Sequence, residues 1–206
     1  MRVIKSVVTT DTILTSSNIP EDEYPAWVSG TSYTALDKVI YEHKIYERLV
    51  TGAGTTTPDL DQANWLDDGY TNRYRMFDNI ISSVSSRTGG IEFTLTPNQV
   101  INGIALLNVN ASTVRVVMND PIEGVVYDRT KELRSSSNVI DYYSYFFAPL
   151  INLGDLDTAI FLDLPNKPTA TITVYVSSGV GLVEVGEVVY GIQSIVGRTN
   201  YGTAIG

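Results

Sequence analysis

The sequence predicts an all-β protein built from antiparallel sheets. Val, Ile and Thr dominate the chain, whereas the helix formers Ala, Lys and Gln are sparse, and side chains branched at Cβ suit the pleated strand. The 16 glycines and 8 prolines divide the 206 residues at short intervals, as expected for strands joined by turns. Because no stretch sustains a 3.6-residue apolar period, only short helical turns are expected, near residues 61–65 and 78–83.

Individual strands are predicted from the order of apolar and polar residues. Residues 91–96 and 169–176 alternate apolar with polar side chains and therefore predict half-buried strands. Residues 103–109 and 113–118 are largely apolar, which is typical of strands buried on both faces. Further strands are expected at 3–10, 124–127, 159–164 and 182–189.

A hairpin is predicted where two short β-rich runs follow each other closely. Residues 38–42 and 44–50 are each rich in β-branched and aromatic residues. They follow each other across a tight turn at Glu42 and His43, which predicts a hairpin pair. The turn predicts an exposed position for His43, and no nucleophile motif accompanies it.

The composition of the chain changes twice and so predicts three parts. Residues 1–19 form an N-terminal arm or strand that ends in a polar cluster. Residues 20–69 hold both tryptophans and the only histidine, which predicts a small module with an aromatic core. Residues 70–206 carry longer apolar strands and predict a β-sandwich of the jelly-roll type.

Charge and residue content exclude several classes of function. The formal net charge is −9, with 14 basic and 23 acidic residues, and a nucleic-acid partner requires a basic face. The chain has no cysteine, so no zinc–thiolate, disulfide or cysteine-nucleophile chemistry is expected. No apolar run approaches the roughly 20 residues of a membrane span, so membrane insertion is not expected. The acidic turns do not follow a calcium-loop pattern, and we expect no metal site and no cofactor.

The aromatic residues of the small module follow a recognisable spacing. Trp27 is followed by Tyr33-Thr-Ala-Leu-Asp37-Lys-Val39, then by Tyr46, Pro58 and Trp65. This pattern resembles the type-3 chitin-binding module of polysaccharide-degrading enzymes. The resemblance implies that aromatic rings build the interior of the module, with others stacking on sugars. The candidate carbohydrate-binding residues are Trp27, Tyr33, Tyr41, Tyr46 and Trp65. Packing in the core or at an interface is the alternative for all of them except Tyr41.

Two departures from that module concern its ligand platform. The family places exposed aromatic residues after the second hairpin strand, where this chain has Glu47-Arg-Leu-Val-Thr51. Leu36 occupies a position where the family has glycine. The residues that match are therefore mostly those that hold the module together.

A second resemblance covers most of the chain. Residues 8–27, the junction Asn72-Arg73-Tyr74-Arg-Met76-Phe77-Asp78 and the late motifs at 185–191 and 196–202 resemble a family of tailed-bacteriophage virion proteins. In that family a small carbohydrate-binding module precedes a galactose-binding-like jelly roll. The resemblance implies a location in the virion tail, other tail proteins as partners and assembly as a homo-oligomer.

The segment Tyr142-Tyr-Ser-Tyr-Phe-Phe147 is the most aromatic stretch of the chain. As a strand, it would place Tyr143, Tyr145 and Phe147 on one face. Tyrosine is enriched at protein interfaces, so these three residues are candidates for a subunit contact, and plain core packing is the alternative.

Together these observations predict a non-enzymatic structural component of a phage tail or tail fibre that contacts host surface glycans. The alternative function is a glycan-binding accessory module of a polysaccharide-degrading system. The first function predicts assembly into oligomers, and the aromatic platform that the second would use is missing at residues 47–51.

Overall fold

The computed structural model describes residues 2–134, 142–147 and 156–195, apart from the side chains of residues 144 and 145. The named strands within these residues pair in antiparallel sheets, which confirms the all-β prediction. The strands are β1 (Arg2–Ser6), β2 (Leu14–Ser17), β3 (Ser32–Tyr33), β4 (Lys38–Tyr41), β5 (Lys44–Arg48), β6 (Gly52–Ala53), β7 (Trp65–Tyr70), β8 (Ser85–Thr88), β9 (Ile91–Leu95), β10 (Gly103–Asn110), β11 (Thr113–Asp120), β12 (Gly124–Glu132), β13 (Thr158–Phe161), β14 (Thr171–Ser177) and β15 (Leu182–Ile195). Short 3₁₀ helices occupy Pro58–Leu60 and Arg75–Phe77, and α1 occupies Tyr142–Phe147.

Two five-stranded sheets form the predicted β-sandwich. One sheet has the order β1-β15-β10-β13, with β8 paired to the other end of the long strand β15. The second sheet has the order β12-β11-β14-β9-β2. Alternation of buried and exposed residues along β14 and β9 turns one face of the second sheet inward.

The main core lies between the two sheets and is mainly aliphatic. Tyr190, Phe93 and Ile19 are among its largest fully buried side chains. Phe77 packs edge-to-face on Phe93 with ring centroids 5.6 Å apart. The strand β10 is buried on both faces over its first four residues, as expected, whereas β11 alternates and is buried on one face only.

Residues 1–19, predicted as an arm, supply one strand to each sheet of the sandwich. Strand β1 pairs with β15, with Arg2 opposite Ile195, and β2 pairs with β9. For β1, the partner strand is β15 of the same chain. The polar residues at the end of the arm fit the edge position of β2, where Thr15 donates to the Thr94 carbonyl.

The small module, residues 20–69, consists of two small sheets between β2 and β8. The hairpin β4–β5 pairs with β7, and β3 pairs with β6. The predicted hairpin turn is present, with Glu42 at φ 47° and His43 at φ 64°. Val39, Tyr46 and Trp65 are the buried centre of the module, with Trp27, Tyr33 and Tyr41 packed around it.

The aromatic segment 142–147 differs from the predicted strand. It forms the short helix α1, in which Tyr142 pairs with Phe146 and Tyr143 with Phe147 at ring-centroid distances of 4.9 and 4.8 Å. Residues four positions apart lie on the same face of a helix. The aromatic residues of this segment therefore fit a helix as well as an alternating strand. The alternation that grouped Tyr143, Tyr145 and Phe147 on one face is therefore wrong, and the side chain of Tyr145 lies outside the described residues.

Candidate functional site

A short chain segment lies beside the hairpin of the small module and creates one wall of a groove. The Trp27 amide donates to the Ile40 carbonyl at 2.8 Å, and the Ile40 amide donates to the Pro25 carbonyl at 2.9 Å. These two bonds form an isolated parallel bridge between Ala26 and Ile40. They place the Trp27 ring edge-to-face against Tyr41, with centroids 5.5 Å apart and planes at 78°.

The groove beside this aromatic pair has a volume of about 320 Å³. It combines aromatic surface with carboxylates and one imidazole, and its lining residues are Glu21, Tyr24, Ala26, Trp27, Ile40, Tyr41, Glu42 and His43. Trp27 and Tyr41 are half-buried, whereas Tyr24 is 38% exposed. The groove is open to solvent along its length.

Two of the five predicted carbohydrate-binding residues lie in this groove, and both belong to its aromatic wall. Partial burial and the neighbouring Glu42 raise the pKa of Tyr41. Its hydroxyl is therefore protonated at neutral pH and able to donate a hydrogen bond. Trp27 and Tyr41 are the members of the predicted set with accessible surface in a cavity.

Two other members, Tyr46 and Trp65, require a correction because they are buried. Their exposed fractions are 5% and 3%, so neither ring has a face open to a ligand. The Arg48 guanidinium lies 4.9 Å from the centre of the Trp65 ring, and its Nε donates to the Val50 carbonyl at 2.6 Å. Tyr46 and Trp65 are therefore core residues of the module, and core packing was the alternative prediction for both.

Tyr33, the fifth predicted residue, lies away from the groove. Its ring is edge-to-face with Trp65 at a centroid distance of 5.2 Å. Its hydroxyl accepts a hydrogen bond from the Val28 amide at 2.8 Å. Both contacts fix the end of β3 on the module core, so the residue has a structural role in the described conformation.

Two further groove residues form a charged cluster that the sequence analysis did not predict. Nδ1 of His43 lies 2.8 Å from Oε1 of Glu21, and Nε2 lies 2.7 Å from Oδ1 of Asp11. The Thr71 hydroxyl donates to the same Glu21 oxygen at 2.8 Å. Asp11, Glu21, His43 and Thr71 are distant from one another in the sequence. The resemblance of the junction at residues 72–78 was the one sequence feature that pointed to this region.

The junction after β7 connects the cluster to the sandwich. The Tyr74 ring stacks on the imidazole of His43 with centroids 3.9 Å apart, and its hydroxyl donates to Asp11 at 2.7 Å. The Arg73 guanidinium donates from Nε to the Ile19 carbonyl at 2.7 Å and lies 3.6 Å from Glu21. The module and the sandwich therefore meet through a compact network of hydrogen bonds and ion pairs.

The segment that replaces the family's aromatic platform presents aliphatic side chains to solvent. Leu49 and Val50 in this segment are exposed, and so is Leu36, which lies outside it. Leu36 has a φ of 75° and its amide donates to the Arg48 carbonyl at 2.7 Å. The position where the family has glycine thus keeps the backbone geometry that favours glycine.

The described ranges also bear on metal binding and on membrane-spanning helices. Across residues 2–134, 142–147 and 156–195, no group of three or more His, Asp or Glu side chains is arranged to hold a metal ion. None of the helices in those ranges is long and apolar enough to cross a membrane.

Comparisons with known proteins show only remote structural likeness. No family model matches the sequence, and no curated protein matches it either. The F5/8 type C domain of a Bacteroides fragilis protein is 10% identical, with 57% of this chain and 79% of that one covered and a TM-score of 0.37. The chitosan-binding module 1 of a Paenibacillus chitosanase/glucanase is 9% identical, with coverages of 60% and 85% and a TM-score of 0.37.

A third similar structure is the module CBM32-5 from Clostridium perfringens, solved in complex with GalNAc-β-1,3-galactose. It is 12% identical, with 58% of this chain and 83% of that one covered and a TM-score of 0.36. TM-scores below 0.5 are too low to assign a function to this chain. Membership of the phage virion family stays a prediction.

Proposed function

We propose that the protein is a non-catalytic glycan-binding module that uses the groove beside Trp27 and Tyr41. The groove carries this proposal because it joins two aromatic rings to the carboxylates of Glu21 and Glu42. Aromatic rings offer flat apolar surface to the faces of sugar rings, and carboxylates accept hydrogen bonds from hydroxyls. Its volume of about 320 Å³ is at the lower end of the about 300–1,000 Å³ typical of ligand pockets.

Binding at such a site is expected to be weak for a single sugar and stronger for a polymer. A shallow groove buries few atoms of a single sugar unit. A polymer offers many such units, which raises the effective concentration of ligand at the groove. This property suits an accessory module of a polysaccharide-degrading system, which was the alternative function predicted from the sequence.

The test is affinity electrophoresis and calorimetry of the full chain with soluble glycol chitin, xylan, β-glucan and galactan. We expect at least one polymer to bind, and Trp27→Ala and Tyr41→Ala each to weaken it about tenfold, because each removes about 1.4 kcal/mol of stacking. Tyr175→Ala is the matched control, since Tyr175 is a half-buried tyrosine on β14 outside the groove. Thermal unfolding of each variant checks that the module still folds.

Two results would reject the proposal. One is the absence of binding to every polymer of the panel by the wild-type chain. The other is binding that both groove variants retain in full while their unfolding midpoints match that of the wild type.

A structural role in a phage tail is the second proposal, and it rests on the sequence resemblance. Its support within the structure is α1, where Tyr142, Tyr143, Phe146 and Phe147 are 80%, 72%, 58% and 70% exposed. Exposed aromatic side chains in a cluster are typical of contact surfaces. The proposed partners are further copies of this chain and other tail proteins of the virion.

Light scattering of the full chain over a wide concentration range tests this role. We expect oligomers that Tyr143→Ser combined with Phe147→Ser dissociates. A monomer at all concentrations would argue against the homo-oligomer, and absence of the chain from purified phage particles by mass spectrometry would argue against the virion.

A further inference from the structure

His43 joins three chain segments that are separate in sequence. The imidazole lies in the hairpin turn of the small module, Asp11 lies between β1 and β2, and Glu21 follows β2. Its two ring nitrogens are 2.7 and 2.8 Å from the oxygens of these carboxylates. One side chain therefore fastens the tip of the module to the segments that lead into and out of the sandwich strand β2.

This geometry requires the protonated form of the imidazole. A neutral imidazole carries one N–H, so its second nitrogen would direct a lone pair at a carboxylate oxygen. The imidazolium carries two N–H groups and satisfies both Asp11 and Glu21. Loss of one proton would turn one of the two attractive contacts into a repulsive one.

The two carboxylates beside His43 favour its positive charge. Partial burial lowers the pKa of His43, but the hydrogen bonds to Glu21 and Asp11 outweigh it and raise the pKa above its ordinary value. The Tyr74 ring covers one face of the imidazole. The charged or titratable groups around it are Asp11 and Glu21, then Tyr74 and Arg73 from the junction, and its chain neighbours Glu42 and Lys44, of which Lys44 pairs with Asp67.

His43 is also part of the groove. Glu21, Glu42 and His43 line it together with Tyr41, the residue that precedes the turn. The turn is held on its far side by the Thr71 amide, which donates to the His43 carbonyl at 2.9 Å. A change in the contacts of the imidazole therefore acts directly on the groove wall that carries Tyr41 and Glu42.

We propose that His43, in its protonated form, is the positioning residue that fastens the hairpin turn to the sandwich and sets the shape of the groove. Deprotonation releases one carboxylate contact and loosens the turn, so the groove changes shape between mildly acidic and alkaline pH. Where the groove binds a glycan, this makes binding pH-dependent, and that consequence alone rests on the proposed function.

The test is an NMR titration of the untagged full chain between pH 4.5 and 9. His43 is the only histidine, so its ring signal needs no assignment by mutagenesis. We expect a midpoint above the ordinary value of about 6.5, with the Trp27 indole and Tyr41 amide signals following the same midpoint. Glu21→Gln is expected to lower the midpoint, and His43→Asn to abolish the pH response of Trp27 and Tyr41, since Asn tolerates the positive φ of 64° at this position.

Asp128→Asn is the matched control for charge. Asp128 forms a two-point ion pair with Arg115 on the outer part of the sandwich, at 2.8 and 2.6 Å, and its loss should leave the His43 midpoint unchanged. A His43 midpoint at or below 6.5 would overturn the proposal, as would Trp27 and Tyr41 signals that ignore the titration. Because no readout needs a ligand, failure to bind any glycan would reject the proposed function and leave this inference standing.

Discussion

Leu36 combines an unfavourable backbone conformation with an exposed side chain. Its φ is 75° and its side chain is 73% exposed. In this left-handed region a Cβ lies too close to the next carbonyl oxygen, at a cost of roughly 1–2 kcal/mol. Little packing compensates for that cost, so the conformation is imposed by the hydrogen bond from its amide to the Arg48 carbonyl.

Leu36→Gly is therefore expected to stabilise the protein. Glycine adopts positive φ without strain. Its larger conformational entropy in the unfolded chain offsets part of the stability gained from the relief of strain. We expect the free energy of unfolding in urea to rise by up to about 1 kcal/mol. The control is Leu60→Gly, because Leu60 is 76% exposed but lies outside the left-handed region. It should lower stability, and a loss of similar size in both variants would contradict the strain argument.

The aromatic residues of the small module show where prediction from sequence stops. Trp27 and Trp65 are the same residue type in the same spacing pattern, yet Trp27 lines the groove and Trp65 is 3% exposed. The Arg48 guanidinium lies over the Trp65 ring. The amino-acid sequence of residues 47–51 does not distinguish a buried arginine from a solvent-exposed one. Burial of a particular ring depends on its partners in three dimensions, which the spacing does not encode.

Among the elements, short-range signals were sufficient for the hairpin and misleading for α1. The β4–β5 turn is specified locally, because two runs rich in β-branched and aromatic residues meet at Glu42 and His43. Residues 142–147 are all large except one serine, so an alternating strand and an i,i+4 helix fit equally well. Strands β7 and β8 were not predicted, because Asp67-Asp-Gly69 and the polar run of β8 have low strand propensity and gain their pairing from β5 and β15.

The contact of β1 with β15 depends on one glycine. A Cβ on Gly191 would lie 1.8 Å from the Lys5 carbonyl oxygen, and backbone atoms cannot move aside independently. Gly191→Ala is expected to destabilise the protein by about 2 kcal/mol or more. Hydrogen exchange should show the loss of protection concentrated at the β1 amides.

Gly54→Ala is the control for that substitution. A Cβ on Gly54 meets no atom within 4 Å, so the urea midpoint should change little. Equal effects of the two alanines would show that close packing of β1 on β15 is not what the glycine provides.

At the scale of the whole molecule, ionisable groups give stability an optimum on the acidic side of neutrality. The Tyr74 and His43 hydrogen bonds lower the pKa of Asp11, so its contribution is present above about pH 4 and is lost as pH falls through the folded pKa. The pKa of His43 is raised, so its contribution is complete below about pH 6.5 and is lost as pH rises through the folded pKa.

Urea unfolding between pH 3 and 9 measures this profile. We expect the highest midpoint between about pH 4 and 6.5. His43→Asn should remove the decline on the alkaline side and leave most of the acid side, to which Asp37, Asp120 and Asp128 also contribute through lowered pKa values. An alkaline decline that persists in this variant would assign it to other groups.

The pairing of β1 with β15 also sets the order in which the chain can complete its structure. Arg2 lies opposite Ile195, so β1 cannot form this pairing until β15 has been synthesised. All sheet pairs of the small module lie within residues 32–70, and short loops close faster than long ones. A nascent chain that ends before β15 therefore carries a finished module beside an open sandwich, whose unpaired edges are exposed to aggregation until synthesis reaches residue 195.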